Sequence, residues 1–209
     1  MAKSREVVRR TTEERRREIA EATLKLVAKH GVDGATIVRI SNAVGLTPGA
    51  LYKHFSNREA VLAAAMDIMD RGSWISESSG EDVLNRLKNA AASHSSWADA
   101  QFETLVHPMF QFAVAAGQGP VYDEMRSRFR SFIQTSAELI EEGKRDGSIR
   151  KDADSQDIAW GLLMFAWAED LARLVGLDEM ITSGASVRVF QTLLDEIGAE
   201  GGTNRDGAE

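Results

Sequence analysis

The 209-residue chain lacks cysteine, holds only three prolines and contains no long apolar run. Without cysteine it forms no disulfide, thiolate nucleophile, zinc finger or iron–sulfur cluster. No stretch of 18 consecutive apolar residues is present, so we expect no membrane-spanning helix. The basic residues near the start are not followed by an apolar segment, which argues against a secretory signal. These absences predict a cytoplasmic protein that has no membrane partner.

Acidic and basic residues are unevenly distributed along the chain. Residues 1–60 contain 12 basic and 7 acidic side chains, whereas residues 61–209 contain 13 and 25. A basic N-terminal quarter on an acidic body, with a net charge of −7 for the whole chain, indicates that one end meets a polyanion. The alternative is a solvated first helix, because Arg15, Arg16 and Arg17 stand among glutamates.

The hydrophobic pattern has helical spacing, which predicts an all-α fold. Thr11–Glu14 is a capping-box pattern at the start of a first helix, and Ser56–Glu59 is a second such pattern. Thr36 is placed to cap a second helix. Thr47 followed by Pro48 predicts the start of a third, because proline at the first helical position loses no hydrogen bond.

Further helices are predicted beyond a linker at residues 73–80. Their expected spans are residues 81–91, about 98–116 with a bend at Pro108, about 120–143, 155–175, and a last helix that ends near Ile197. His94 lies in a serine-rich stretch that lacks the neighbours of a catalytic site, and we expect it at the surface. No histidine pair has metal-ligand spacing, so we expect neither a metal nor another cofactor.

The segments Thr36–Val44 and Thr47–Phe55 form two short helices that meet at Gly45-Leu46. This is a helix-turn-helix arrangement, whose second helix can enter a DNA major groove. The residues left outward on that helix are Thr47, Pro48, Gly49, Ala50, Tyr52, Lys53 and His54. Their polar donors suit phosphate oxygens, and the small residues permit close approach to base edges. A helical hairpin that serves only for packing has the same outline.

Gly45-Leu46-Thr47 is followed by Leu51-Tyr52-Lys53-His54-Phe55 and then by Arg58-Glu59 and Leu62. This run resembles the DNA-binding domain of the TetR (tetracycline-repressor-like) family. With the first and fourth helices, the resemblance covers about residues 12–72. Two positions depart from the family pattern: Ser41 stands where alanine is usual, and Val38 where the family is often polar.

The resemblance implies a role for each matching position. Thr36 would cap the second helix and touch a phosphate. The residues in or at the major groove would be Thr47, Gly49, Ala50 and Lys53. The residues that bind phosphates would be Tyr52, His54 and Arg58. The basic arm that contains Lys3, Arg5, Arg9 and Arg10 would reach the adjacent minor groove.

The expected organisation has four parts: a flexible basic arm (1–11), a DNA-binding helix-turn-helix domain (12–72), a helical ligand-binding and dimerisation domain (73–198) and a disordered tail (199–209). The family resemblance implies a ligand cavity in the third part and a homodimer formed through residues 155–197. The predicted ligand-binding residues are Trp97, Phe102, His107, Phe110, Arg126, Phe129, Trp160, Met164 and Trp167. Because these side chains are mostly large and apolar, we expect an apolar or aromatic ligand.

The predicted function is that of a transcriptional regulator and not of an enzyme. It is most simply a repressor that a small-molecule ligand releases from a palindromic double-stranded DNA operator. Two alternatives remain from the sequence. One is an all-helical small-molecule-binding protein or enzyme whose helix-turn-helix serves only for packing, and the other is a protein-interaction module that uses residues 155–197.

Overall fold

The computed structural model describes residues 11–69, 81–115 and 119–199, and most of these residues are helical. The helices are α1 (Thr12–Gly34), α2 (Ile37–Ala43), α3 (Pro48–Leu51), α4 (Arg58–Met69), α5 (Val83–Ala100), a π-helical segment (Phe102–Val106), α6 (His107–Val114), α7 (Pro120–Asp146), α8 (Ser155–Leu174), α9 (Asp178–Thr182) and α10 (Ala185–Ile197). The all-α prediction is confirmed. None of the helices described here has the length and hydropathy that a membrane crossing requires. The predicted arm, linker and tail lie outside the described residues, apart from Thr11 and Ala199.

The chain divides into two compact units. The first unit contains residues 1–72 and 102–125, and the second contains residues 73–101 and 126–209. The π-helical segment and α6 therefore pack with the N-terminal helices, an association that hydrophobic spacing along the chain does not indicate.

Helix α1 is the centre of the first unit. It contacts α2, α4, the π-helical segment and α6. The fully buried side chains of this unit include Ile19, Val27, Ile40, Leu51, Leu62 and Phe112. Burying one such side chain contributes about 1.5–3 kcal/mol, so the short helices α2 and α3 are held mainly by packing on their neighbours.

Side-chain caps fix where the helices of the first unit begin. Thr11 and Glu14 form the predicted capping box, with distances of 3.1 Å and 2.7 Å between amide nitrogens and side-chain oxygens. At the start of α4 the prediction is wrong by one residue. Asn57, and not Ser56, is the cap, because Asn57 Oδ1 accepts the Ala60 amide at 2.8 Å.

The second unit has an apolar core formed by α5, α7, α8 and α10. Its buried residues include Leu87, Ile140, Leu162, Phe165, Phe190 and Leu194. The rings of Phe165 and Phe190 stack with their centroids 4.2 Å apart. Helices α8 and α10 are therefore held together from within by aromatic contact.

Two carboxylates hold the start of α5. Asp82 Oδ1 accepts the Asn85 amide at 2.8 Å, and Asp146 Oδ2 at the end of α7 accepts the Val83 amide at 3.0 Å. Burial opposes ionisation of Asp146, but hydrogen bonds from Ser148 and Val83 hold the pKa of this carboxyl below its usual value. The N-terminus of α5 is thereby fastened to the C-terminus of α7.

Three further predictions of helix boundaries are wrong. Helix α5 continues through residues 92–97 to Ala100, where the sequence predicted a break. Pro108 does not bend a helix in its middle but stands in the first turn of α6, where its missing N–H is harmless. The last predicted helix is two helices, because Ser183 and Gly184 separate α9 from α10.

The turn glycine provides a first test of this fold. Gly45 has a φ of +66°, and an added Cβ would meet no atom within 4 Å, so the cost of Gly45→Ala is backbone strain alone. We expect a loss of about 1–2 kcal/mol in the free energy of unfolding, measured by urea titration. The matched control is Gly49→Ala, in helical backbone and equally open space. It should be neutral or stabilising by up to about 1 kcal/mol, and equal effects of the two substitutions would contradict this account.

Candidate nucleic-acid interface

The turn between α2 and α3 is closed by backbone hydrogen bonds and by a buried serine. The amide of Leu46 donates to the Ser41 carbonyl at 2.8 Å, and that of Gly45 donates to the Asn42 carbonyl at 3.2 Å. Ser41 is fully buried, and its hydroxyl donates to the Ile37 carbonyl at 2.7 Å. The departure from alanine at this position therefore leaves no polar group unsatisfied.

Helix α3 ends at Leu51 and not at the predicted Phe55, because residues 52–54 form a turn, and the surface formed by the helix and this turn exposes most of the predicted DNA-binding residues. The exposed members are Thr36, Thr47, Pro48, Gly49, Tyr52 and Lys53, and the half-buried members are Ala50, His54 and Arg58. All nine lie in the first unit, on consecutive parts of the chain. Val38 is 57% exposed on α2, so an apolar side chain borders this surface.

Thr36 and Thr47 act as the predicted helix caps. The Thr36 hydroxyl accepts the Arg39 amide at 3.3 Å, and the Thr47 hydroxyl accepts the Ala50 amide at 3.2 Å. A hydroxyl that accepts one hydrogen bond keeps its own hydrogen for donation. Both side chains can therefore cap a helix and donate to a phosphate at the same time.

Arg58 has a structural role that its sequence position did not reveal. Its Nε donates to the Ala35 carbonyl at 3.0 Å, and another guanidinium nitrogen donates to the Val32 carbonyl. The side chain is half-buried and ties the start of α4 to the connection between α1 and α2. The phosphate contact assigned to Arg58 stays a prediction.

Sequence reasoning missed the contribution of Arg16. This α1 side chain donates to the His54 carbonyl, and its guanidinium lies 4.2 Å from the centre of the Phe55 ring. On the imidazole of His54, Nδ1 is buried and makes no hydrogen bond with a described residue, so a phosphate contact by this ring would use Nε2.

The predicted ligand-binding residues are divided between the two units. In the first unit, Phe110 is buried, and the rings of Phe102 and His107 stack with centroids 6.2 Å apart. His107 is also hydrogen-bonded to Gln111, with 3.3 Å between the two nitrogens. The structure thus brings Phe102 and His107 together on the segment that packs against α1.

In the second unit, Phe129 and Trp167 make an edge-to-face contact with centroids 4.9 Å apart. Trp97 stacks on His94, and Arg126 is exposed. Trp160 and Met164 are 53% and 55% exposed on α8, a position that suits an interface better than the wall of a cavity. The ligand-binding set as a whole stays a prediction.

His94 is buried, so its predicted surface location is wrong. It is 1% exposed on α5, and its Nε2 lies 3.6 Å from Oδ1 of the equally buried Asp170 on α8. Its ring also packs near Phe165, with centroids 6.0 Å apart. The serines that surround it in sequence suggested exposure, but α8 covers this face of α5.

A second buried carboxylate joins three helices of the same unit. Glu169 on α8 accepts hydrogen bonds from the Ser95 hydroxyl of α5, at 2.8 and 2.9 Å, and from the Ser186 hydroxyl of α10. One turn later Arg173 donates to the Ser95 carbonyl at 2.6 Å. The buried charge is thereby hydrogen-bonded, as stability requires.

An open groove of about 410 Å³ also lies in the second unit, between the end of α7 and the start of α8. Hydrogen bonds from Lys144 and Ser155 lower the pKa of Glu141 on its wall. The groove contains none of the nine predicted ligand-binding residues. In the ranges that the structure describes, no cluster of three or more histidine or acidic side chains could hold a metal ion.

The capped turn and the exposed short helix define an all-helical protein of the helix-turn-helix class. Residues 19–65 match the family described as bacterial regulatory proteins, tetR family. The chain is 35% identical over 79 residues to the HTH-type transcriptional regulator PksA of Bacillus subtilis, and the match covers 38% of this chain and 34% of PksA. It is 23% identical over 147 residues to the HTH-type transcriptional repressor KstR2 of Mycolicibacterium smegmatis, covering 67% of this chain and 70% of KstR2. The helix-turn-helix segment of this chain, residues 19–65, is therefore of the TetR type.

Solved structures agree with this fold beyond the helix-turn-helix. The TetR-family transcriptional regulator from Cytophaga hutchinsonii superposes with a TM-score of 0.74 at 20% identity. The match covers 90% of this chain and 97% of that one. The likeness therefore extends over both units, whereas the match to PksA spans about a third of that regulator's length.

The buried carboxylate of Glu169 generates a second prediction. Ser95→Ala removes a hydrogen bond to a charged group and should lower the free energy of unfolding by about 1.5–3 kcal/mol in urea titration. The neighbouring Ser96 is exposed on the same helix, so Ser96→Ala should change stability by less than about 0.5 kcal/mol. Equal effects at both serines would show that the contact with Glu169 contributes nothing.

Proposed function

We propose that this protein is a sequence-specific DNA-binding transcriptional repressor. The observation that carries the proposal is the exposed surface of residues 47–54, α3 and its two ends, which presents donors and small residues from a capped helix-turn-helix in a segment that matches the TetR family. Side-chain donors position a protein on phosphates, and small residues let a helix approach base edges. The relatives named above, a transcriptional regulator and a repressor, support this function over the packing-element alternative.

The repressor is proposed to be a homodimer. Trp160, Met164, Leu171 and Leu174 are 37–55% exposed on α8. At 100° per residue these four positions fall within an arc of about 80°, so they form one apolar stripe. Val189 and Leu193, one turn apart on α10, are 64% and 58% exposed.

A second copy of the chain is the occupant that this surface fits. Large contiguous apolar patches are rare on monomers, and a two-fold axis places the same patch on both partners. Two copies also present two reading helices, which suits a palindromic operator with half-sites about 34–36 Å apart.

The proposed effector is a mostly apolar or aromatic small molecule. Phe102, His107 and Phe110 belong to the unit that contains α3, because α6 and the π-helical segment pack against α1. An effector that contacts these side chains would act on the reading unit itself, in addition to any coupling through α4. The effector releases DNA only to the extent that it binds the conformation unable to bind DNA more tightly than the conformation that binds DNA.

Binding of DNA is tested with the tightest fragment that the unaltered chain selects from genomic DNA, beside a random duplex. Tyr52→Phe removes one hydroxyl donor and should weaken binding to both duplexes by about 2- to 10-fold. Lys53→Ala should change the preference between them. Lys151→Ala removes the same charge from an exposed position in the second unit and should leave the preference unchanged. Unchanged binding by both the Tyr52 and the Lys53 variant would refute the docking of this surface on DNA.

The dimer is tested by placing a charge on the α10 surface. Val189→Glu should convert the dimer to a monomer in sedimentation analysis, because an unpaired charge in an apolar interface is strongly unfavourable. Val114→Glu makes the same change at a 77% exposed position on α6 and should remain dimeric. A monomeric unaltered chain, or the same mass for both variants, would contradict the proposed interface.

A further inference from the structure

Arg16 makes a long-range contact that differs from those of its neighbours in α1. Arg15 and Arg17 pair with glutamates on their own helix, Glu18 at 2.7 Å and Glu21 at 2.8 Å. Arg16 instead crosses to a segment 38 residues away, donates to the His54 carbonyl and covers the Phe55 ring at 4.2 Å. Of these three consecutive arginines, Arg16 is therefore the one whose contact leaves its own helix.

The contact lies in the turn that follows the reading helix. Helix α3 has only four residues, and a helix of this length is not stable alone. Its N-terminal end is fixed by the Thr47 cap. Its own carbonyls accept the amides of residues 52–55, and Arg16 binds the next carbonyl along, that of His54. Phe55 is 2% exposed and anchors this turn in the core, and the guanidinium of Arg16 holds both the anchor and the carbonyl before it.

We propose that Arg16 is a positioning residue for DNA readout. It holds residues 52–54, the turn that follows α3, in the orientation from which their side chains reach DNA, and it makes no contact of its own with phosphate. This inference rests on the proposed function. A guanidinium is needed at this position because it can stack flat on an aromatic ring and, at the same time, donate hydrogen bonds in its own plane.

The experiment compares Arg16→Met, Arg16→Lys and the control Arg17→Met. Arg17→Met removes the same charge from the next residue, whose side chain is 65% exposed. Binding to the selected genomic fragment and to a random duplex is measured across a salt series. Arg16→Met should lower the preference for the selected fragment by about tenfold, the equivalent of one charge-assisted hydrogen bond. Its salt slope should match that of Arg17→Met. Arg16→Lys should recover only a small part of the preference.

A direct phosphate contact by Arg16 predicts a different pattern. Arg16→Met would then weaken both duplexes alike, its salt slope would fall by about 0.9, and Arg16→Lys would restore both values. That pattern would overturn the proposal.

Amide hydrogen exchange of the DNA-free protein gives a second readout. Arg16→Met should speed exchange at Lys53, His54 and Phe55, which donate to carbonyls of α3, and Arg17→Met should not. Urea titration of each variant shows whether faster exchange is local or reflects global unfolding. Unchanged exchange at these amides would overturn the proposal. If the unaltered chain prefers no duplex, the proposed function fails and the readout role fails with it, whereas exchange still decides whether Arg16 holds the turn after α3.

Discussion

The four-residue length of α3 is the constraint on which the first unit depends. Its backbone hydrogen bonds cannot balance the entropy of ordering it, so its orientation comes from its surroundings. Leu51 and Phe55 anchor it in the core, Thr47 caps its start, and Arg16 holds the turn that follows it. Arg16 links the turn after α3 to α1, and α3 also packs on α2. A reading helix of this kind is as rigid as the helices around it, which is useful for recognition and makes it sensitive to small shifts of α1.

Helix α1 is therefore the element through which the first unit is assembled. It contacts α2, α4, α6 and the π-helical segment. Arg58 adds a polar tie, because its guanidinium binds two carbonyls near the end of α1. A π-helical turn is an irregularity that often occurs at functional sites. This π-helical turn directly precedes His107, and both it and α6 contact α1. A candidate ligand contact therefore lies on a segment that packs against α1.

Features of the fold that depend on neighbouring residues in the sequence could be predicted, whereas features that depend on contacts with distant parts of the chain could not. The caps at Thr11, Thr36 and Thr47 were predictable because a cap needs only a side chain and the next turn of its own helix. The burial of His94 was not, since it depends on α8, whose Asp170 lies 76 residues later. The roles of Arg16 and Arg58 were missed because their acceptors are backbone carbonyls of residues distant in sequence, and the identity of a residue does not indicate such an acceptor. Among the candidate DNA-binding residues, those on the outward face of α3 followed from the motif, whereas the contacts that orient them required the structure.

Helix α8 is apolar on two sides, and this bears on assembly. Its buried face carries Leu162 and Phe165 together with Glu169 and Asp170, and its outer face carries Trp160 and Met164, both more than half exposed. A helix at the surface of a monomer usually has a polar outer face. The inner charges are accommodated because Ser95 and Ser186 hydrogen-bond to Glu169 and His94 lies beside Asp170. No described residue covers the outer apolar stripe, so its contact with water is unfavourable and association can remove it. At about 25 cal/mol per Å² of apolar area, covering a stripe of four large side chains and the neighbouring face of α10 would contribute several kcal/mol of favourable free energy, which in the proposed dimer offsets part of the entropy lost on association. On the buried face of α8, hydrogen bonds from Ser95 and Ser186 to Glu169 tie α5 and α10 to this helix. The same helix therefore links the core of the second unit to the surface proposed for the second copy.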